Sequence, residues 1–147
     1  MGTSFPPIAE LLPHRGRAVW LNAVLEDSEN HIRASAQITR AHPLFTPDQG
    51  VPAWAGIELM AQTVAAHAGM QSRRSGRPPR KGMLLGTRRY QTQADYFPEG
   101  AQLEILAERE FGDSSGLGAC NCRILHNQKI LASATIIIIE ISEDMIR

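Results

Sequence analysis

The chain has 147 residues, enough for one hydrophobic core and short for two domains. Fifteen basic and fifteen acidic residues cancel at pH 7, so net charge points to neither nucleic acid nor a membrane surface as partner. No apolar run approaches the roughly 18 residues of a membrane span, and no charged-then-apolar leader opens the sequence. Cys120 and Cys122 are the only cysteines. Two residues apart on a strand they share a face across too short a loop for a disulfide. They are also too few for a structural zinc site. Two reduced thiols in a cytoplasmic protein are expected.

In chain order, residues 1–13 form a proline-rich lead-in, and His14-Arg15-Gly16 turns it into a strand over 18–25. The polar cluster 26–30 is a turn. Residues 31–39 alternate apolar and polar, as a half-buried strand does, so the two strands form a hairpin. Residues 40–51 carry two prolines and a glycine and read as a loop.

The segment 51–70, VPAWAGIELMAQTVAAHAGM, is the centre of the chain. Ile57, Met60, Ala61, Val64, Ala65 and Ala68 follow the spacing of a buried helical stripe, and most other positions are small or apolar. This predicts a helix covered nearly all round, with Pro52 in its first turn and Gly69 as its stop. Into it the sequence sets one carboxylate, Glu58, with Gln62 one turn later on the same face. An acid on a buried helix is costly unless it is paired or neutral, which marks Glu58 as a candidate for chemistry.

Residues 71–80, QSRRSGRPPR, read as an exposed connection. Strands are expected over 81–94, 102–110, 117–125 and 130–141, with turns at 98–100, 112–116 and 126–129. The run Ile136–Ile139 has the β-branched density of a strand covered on both sides. The whole of 1–147 thus reads as a single α+β domain, an antiparallel sheet wrapped around one long helix.

Several motifs in this order resemble the hot-dog fold family of 3-hydroxyacyl-carrier-protein dehydratases. Leu11-Leu12-Pro13-His14-Arg15 is similar to its opening LLPHR segment, and Glu58-Leu59-Met60-Ala61-Gln62 to its E-A-M-A-Q helix. Met83-Leu84-Leu85-Gly86 resembles its F-L-A-G strand, and Phe97–Leu103 its V-x-P-G-D-x-L turn. The motifs VPAW-x-GIE-x-MAQ and LLGTRRY are closer to a divergent branch associated with aryl-polyene biosynthesis. The main family sets its catalytic histidine in a G-H-F-P-G loop; here that place is Leu44, and the nearest histidine is His42.

The resemblance implies dehydration of a 3-hydroxyacyl thioester on an acyl carrier protein to the trans-2-enoyl thioester. It implies no cofactor and no metal. Glu58 is then the acid that protonates the leaving hydroxyl, and a histidine takes the C2 proton, His42 before His14. His67 is expected to be structural or edge-exposed. Gln62 orients Glu58 or its water. Ala53 and Trp54, at the helix N-terminus, are candidates to hold the thioester oxygen, and Leu85 and Gly86 to line the substrate.

Arg73, Arg74, Arg77, Arg80 and Lys81 lie in a stretch without acids and are candidates for docking the acidic carrier. Nucleic acid is not expected, since no aromatic interleaving or recognisable module accompanies the arginines. Family members pair through their sheets, so a homodimer or a heterodimer with a related hot-dog subunit is expected. Two other readings share the fold: an acyl-thioesterase in which Glu58 activates water, and a non-catalytic subunit of a hetero-oligomeric dehydratase.

Overall fold

The computed structural model describes residues 5–76, 81–112 and 116–141. After a one-turn helix α1 (Ile8–Leu11) and a 3-10 turn at Gly16–Ala18 come β1 (Ala23–Asp27) and β2 (His31–Gln37). A two-residue strand β3 (Val51–Pro52) and a 3-10 turn at Ala53–Ala55 lead into the long helix α2 (Gly56–Ser75). Then follow β4 (Lys81–Thr92), β5 (Tyr96–Phe97), β6 (Gln102–Gly112), β7 (Leu117–His126) and β8 (Lys129–Ile141).

Six strands form one antiparallel sheet in the order β1-β2-β6-β7-β8-β4, and β3 pairs with β5 as a separate ribbon. One face of the sheet carries the alternating buried residues of β2, β6, β7 and β8, Ile32, Leu103, Ile105, Ile124 and Ile136 among them. Helix α2 lays Leu59, Met60 and Val64 against that face. Each such side chain, fully buried, contributes about 1.5–3 kcal/mol. This is the expected α+β arrangement.

The local differences from expectation have physical causes. The first strand begins at Ala23, because the backbone N–H of Trp20 is drawn to the Gln62 side chain. Glu26 and Asp27 therefore belong to β1, and the turn is Ser28–Asn30. Both ends of the central helix lie further along than the apolar pattern indicates. Val51 and Pro52 pair with Phe97 and Tyr96, and the stop is Gly76, in the left-handed region at φ 67°.

Gly69, the expected stop, lies inside the helix, where a Cβ would stand 2.6 Å from the Leu11 carbonyl oxygen. Its smallness admits the lead-in. Residues 71–75 continue the helix, since Gln71 donates to the carbonyls of Ser28 and Glu29. The β7–β8 turn is the two residues Asn127 and Gln128, both at positive φ, which matches the twist of a tight hairpin. In this chain Ile136 is buried while Ile137, Ile138 and Ile139 are half-buried, so the isoleucine run is covered fully on one side only. Part of the expected turn at 112–116 falls outside the described residues.

Candidate active site

Leu11 and Leu12 anchor the lead-in by burial beneath α2, and the chain then rises through exposed Pro13 to His14. Beyond the 3-10 turn it runs along the helix, where Gln62 grips it. The Gln62 Nε2 donates to the carbonyl of Ala18 at 2.7 Å, and its Oε1 accepts the N–H of Trp20 at 2.9 Å. The same amide nitrogen donates to Oε1 of Glu58 at 3.1 Å. Gln62 is completely buried, and these bonds offset the cost of burying its amide. From 44 positions away in sequence, His14 brings its Nε2 to 3.2 Å from the same Oε1 of Glu58. The Glu58 side chain remains 39% exposed. A half-open carboxylate against an imidazole is an arrangement able to take and give protons.

His42 stands elsewhere. Its Nδ1 accepts the N–H of Leu44 at 3.0 Å, and its ring packs on Trp20 with centroids 4.3 Å apart. Burial pushes its imidazole below the ordinary histidine value. The structure thus gives His42 a hydrogen bond to its own loop and brings His14 to Glu58.

At the helix N-terminus the N–H of Ala53 is not open to a ligand, because it donates to the carbonyl of Asp95 at 2.9 Å. The Ala53 carbonyl in turn accepts the hydroxyl of Tyr90. Burial pushes the Tyr90 phenol up to about 12, so it remains a donor throughout the working pH range. Sequence reasoning missed this clamp, although Tyr90 belongs to the LLGTRRY motif. A Cβ on Gly56 would stand 2.1 Å from the Tyr90 hydroxyl, so glycine is what lets the tyrosine reach the helix start. Trp54 is 62% exposed. Leu85 is exposed at a register irregularity of β4 and Gly86 follows it, both on the strand at the sheet edge.

Of the candidate docking cations, Arg73 pairs with Glu10 at 2.9 Å and Arg74 with Asp27 at 2.5 Å. Arg77 and Arg80 lie outside the described residues, as does the side chain of Lys81. Asp27 also meets Nδ1 of His67 at 2.7 Å, while His67 Nε2 is 3.1 Å from the carbonyl of Glu29. His67 is therefore a buried tie between α2 and the β1–β2 hairpin. Nothing in the sequence marks Asp27 as its partner. A shallow depression of about 300 Å³ lined by Arg89, Gln91, Asn121, Cys122, Ser133, Ala134 and Thr135 shares no residue with the Glu58 site.

A long helix wrapped by an antiparallel sheet, with an acid on the helix beside the lead-in, defines a hot-dog fold protein. Residues 6–146 match the sequence model of the ApeP-like family, described as ApeP dehydratase, and the chain belongs to that family. Among solved structures it is similar to a chain of the dehydratase heterocomplex ApeI:P from Xenorhabdus doucetiae. That match has 24% identity and a TM-score of 0.90, covering 97% of this chain and 96% of that one. A hypothetical thioesterase with coenzyme A from Streptococcus pneumoniae matches at 9% identity and TM-score 0.65, over 81% of this chain and 84% of that one. The PaaI protein of the E. coli phenylacetic acid degradation operon matches at 13% and 0.62, over 80% and 81%. These likenesses establish the fold. No curated protein matches the sequence significantly. No helix of the described residues is long and apolar enough to cross a membrane.

Proposed function

We propose that the chain removes water from a 3-hydroxyacyl thioester borne by an acyl carrier protein, giving the trans-2-enoyl thioester, in fatty-acid-like or aryl-polyene biosynthesis in the cytoplasm. Membership of a dehydratase family supports the reaction class. The observation that carries the reading is the contact of His14 with Glu58 on the E-L-M-A-Q helix. It favours His14 over His42 as the histidine of the site. Elimination breaks the C2–H and C3–O bonds and forms C2=C3, so the site must move one proton off carbon and one onto oxygen.

The acting form is an assembly of this chain with a related hot-dog subunit or with its own copy. Strand β4 supports this reading, being a long edge strand with Leu84 and Leu85 exposed. The similar chain from Xenorhabdus doucetiae belongs to a heterocomplex. Trp54, Leu85 and Gly86 are then candidates to line the acyl chain where the subunits meet.

The test is mass spectrometry of a 3-hydroxyacyl carrier protein incubated with the purified chain, alone and with a related hot-dog subunit. Loss of one water supports the dehydratase. Release of the free acid identifies a thioesterase instead. Water loss that requires only the related subunit, and survives Glu58→Gln here, identifies a non-catalytic subunit.

A further inference from the structure

Gln62 holds more than a position. Its orientation is locked, because a flipped amide would set NH2 against the Trp20 N–H and oxygen against the Ala18 carbonyl. It must therefore donate to Oε1 of Glu58. That oxygen, as carboxylate, is an acceptor for both neighbours, so the hydrogen between it and His14 belongs to Nε2 of the imidazole. The other ring nitrogen agrees. His14 Nδ1 is buried with no hydrogen-bond partner among the described residues, and an N–H there would be an orphaned donor. Oε2 of Glu58 has no hydrogen bond among the described residues, and the Glu58 side chain is 39% exposed. The one uncommitted basic atom of the pair that a substrate can reach is thus on the carboxylate.

We infer that Gln62 fixes His14 as the Nε2–H tautomer, and that Oε2 of Glu58 carries the proton through both halves of the elimination, with His14 a positioning residue. This rests on the dehydratase reading. Glu58 Oε2 takes the C2 proton while the C–H electron pair becomes the C2=C3 bond. The C3–O pair departs with oxygen, and the same proton passes from Oε2 to that oxygen. Water leaves and the carboxylate is restored. His14 and Gln62 hold Oε1 throughout, which aims Oε2 at one face of the substrate.

The test has two parts. In the full chain, a long-range 15N–1H correlation spectrum, with His14 assigned by its loss in His14→Gln, should show the Nε2–H pattern. In Gln62→Leu that pattern should become mixed. An Nδ1–H pattern in the wild type overturns the inference even if Gln62→Leu does not fold. For turnover of carrier-bound substrate, in whatever assembly the wild type is active, Glu58→Gln should lose at least about 100-fold, within the range of general acid–base catalysis. His14→Gln, whose amide N–H stands near the place of Nε2, should stay within about 10-fold of wild type, while His14→Ala falls further. Equal inactivity of His14→Gln and Glu58→Gln makes the imidazole the base and overturns the proton route. A wild type that releases no water removes the dehydratase reading and the route together, and the tautomer spectrum still decides what Gln62 does.

Discussion

Gly69 of α2 lies so close to Leu11 that a Cβ there would sit 2.6 Å from the Leu11 carbonyl oxygen and 3.1 Å from its Cα. The lead-in carrying His14 is therefore seated on the helix backbone itself. Gly69→Ala should gain about 1 kcal/mol of helix propensity and lose about 1–3 kcal/mol to overpacking against backbone that cannot rotate away. Overpacking wins. The Tm should fall while helix content by circular dichroism is kept, and turnover should fall as the His14–Glu58 contact loosens. A variant more stable than wild type and fully active would show that the lead-in shifts freely.

The core of this arrangement was legible because periodicity reports burial. Strands β2 and β6–β8 alternate as a one-sided sheet requires, and Met60 and Val64 of the predicted helical stripe are buried. Ile57, Ala61, Ala65 and Ala68 of that stripe are half-buried, whereas Leu59, Ala66 and Met70 complete the covered face. Glu58 stood out as an acid in an apolar segment. What periodicity cannot report is a partner far away in sequence. The Gln62 contacts to residues 18 and 20, and Asp27 with His67, depend on how the lead-in and hairpin cross the helix. The same limit misplaced the helix ends, since Val51-Pro52 has no helical fate once Tyr96-Phe97 is beside it. Proximity in sequence favoured His42, but its loop turns the ring to Leu44 and Trp20.

His42 gives a pH prediction with a definite sign. Burial lowers its folded-state value below the ordinary histidine value of about 6.5. The unfolded chain therefore binds a proton first as pH falls. This contribution to stability is present above about 6.5 and is lost as pH falls below it toward the folded value. Tm measured from pH 8 down to about 5 should drop less steeply in His42→Gln than in wild type. Equal slopes would mean that His42 is solvated when folded. If His14 is the histidine of the site, His42→Gln should also keep dehydratase turnover.

Asp27 ties β1 to α2 through two side chains, the His67 imidazole and the Arg74 guanidinium, with its own side chain fully buried. Removing one partner of a buried pair leaves the others uncompensated and costs about 3–5 kcal/mol. Asp27→Ala should sit near the lower end, about 3 kcal/mol, because Arg74 can return to water. Urea denaturation should show this loss, with kcat of the surviving folded protein close to wild type. A loss under about 0.5 kcal/mol, the size of an exposed pair, would put the cluster at the surface energetically.

The same cluster divides the basic stretch between docking and structure. Arg74 is held by Asp27 and Arg73 by Glu10, so reversing Arg74 sets a glutamate against a buried carboxylate. Arg74→Glu should therefore lower Tm and depress turnover of every substrate alike. If the acidic carrier is the partner, the remaining candidates for docking it are Arg77 and Arg80, which follow the helix in sequence, and Lys81, the first residue of β4. The triple reversal of these to Glu should reduce kcat/KM for carrier-bound substrate by about 10-fold at low salt. The deficit should shrink as ionic strength rises toward several tenths molar, where the Debye length is under about 10 Å. A small thioester mimic offers no protein surface to steer and should be turned over as by wild type. Unchanged kinetics with the carrier at low salt would remove these three residues from docking, and a parallel loss on the mimic would place their effect in the fold.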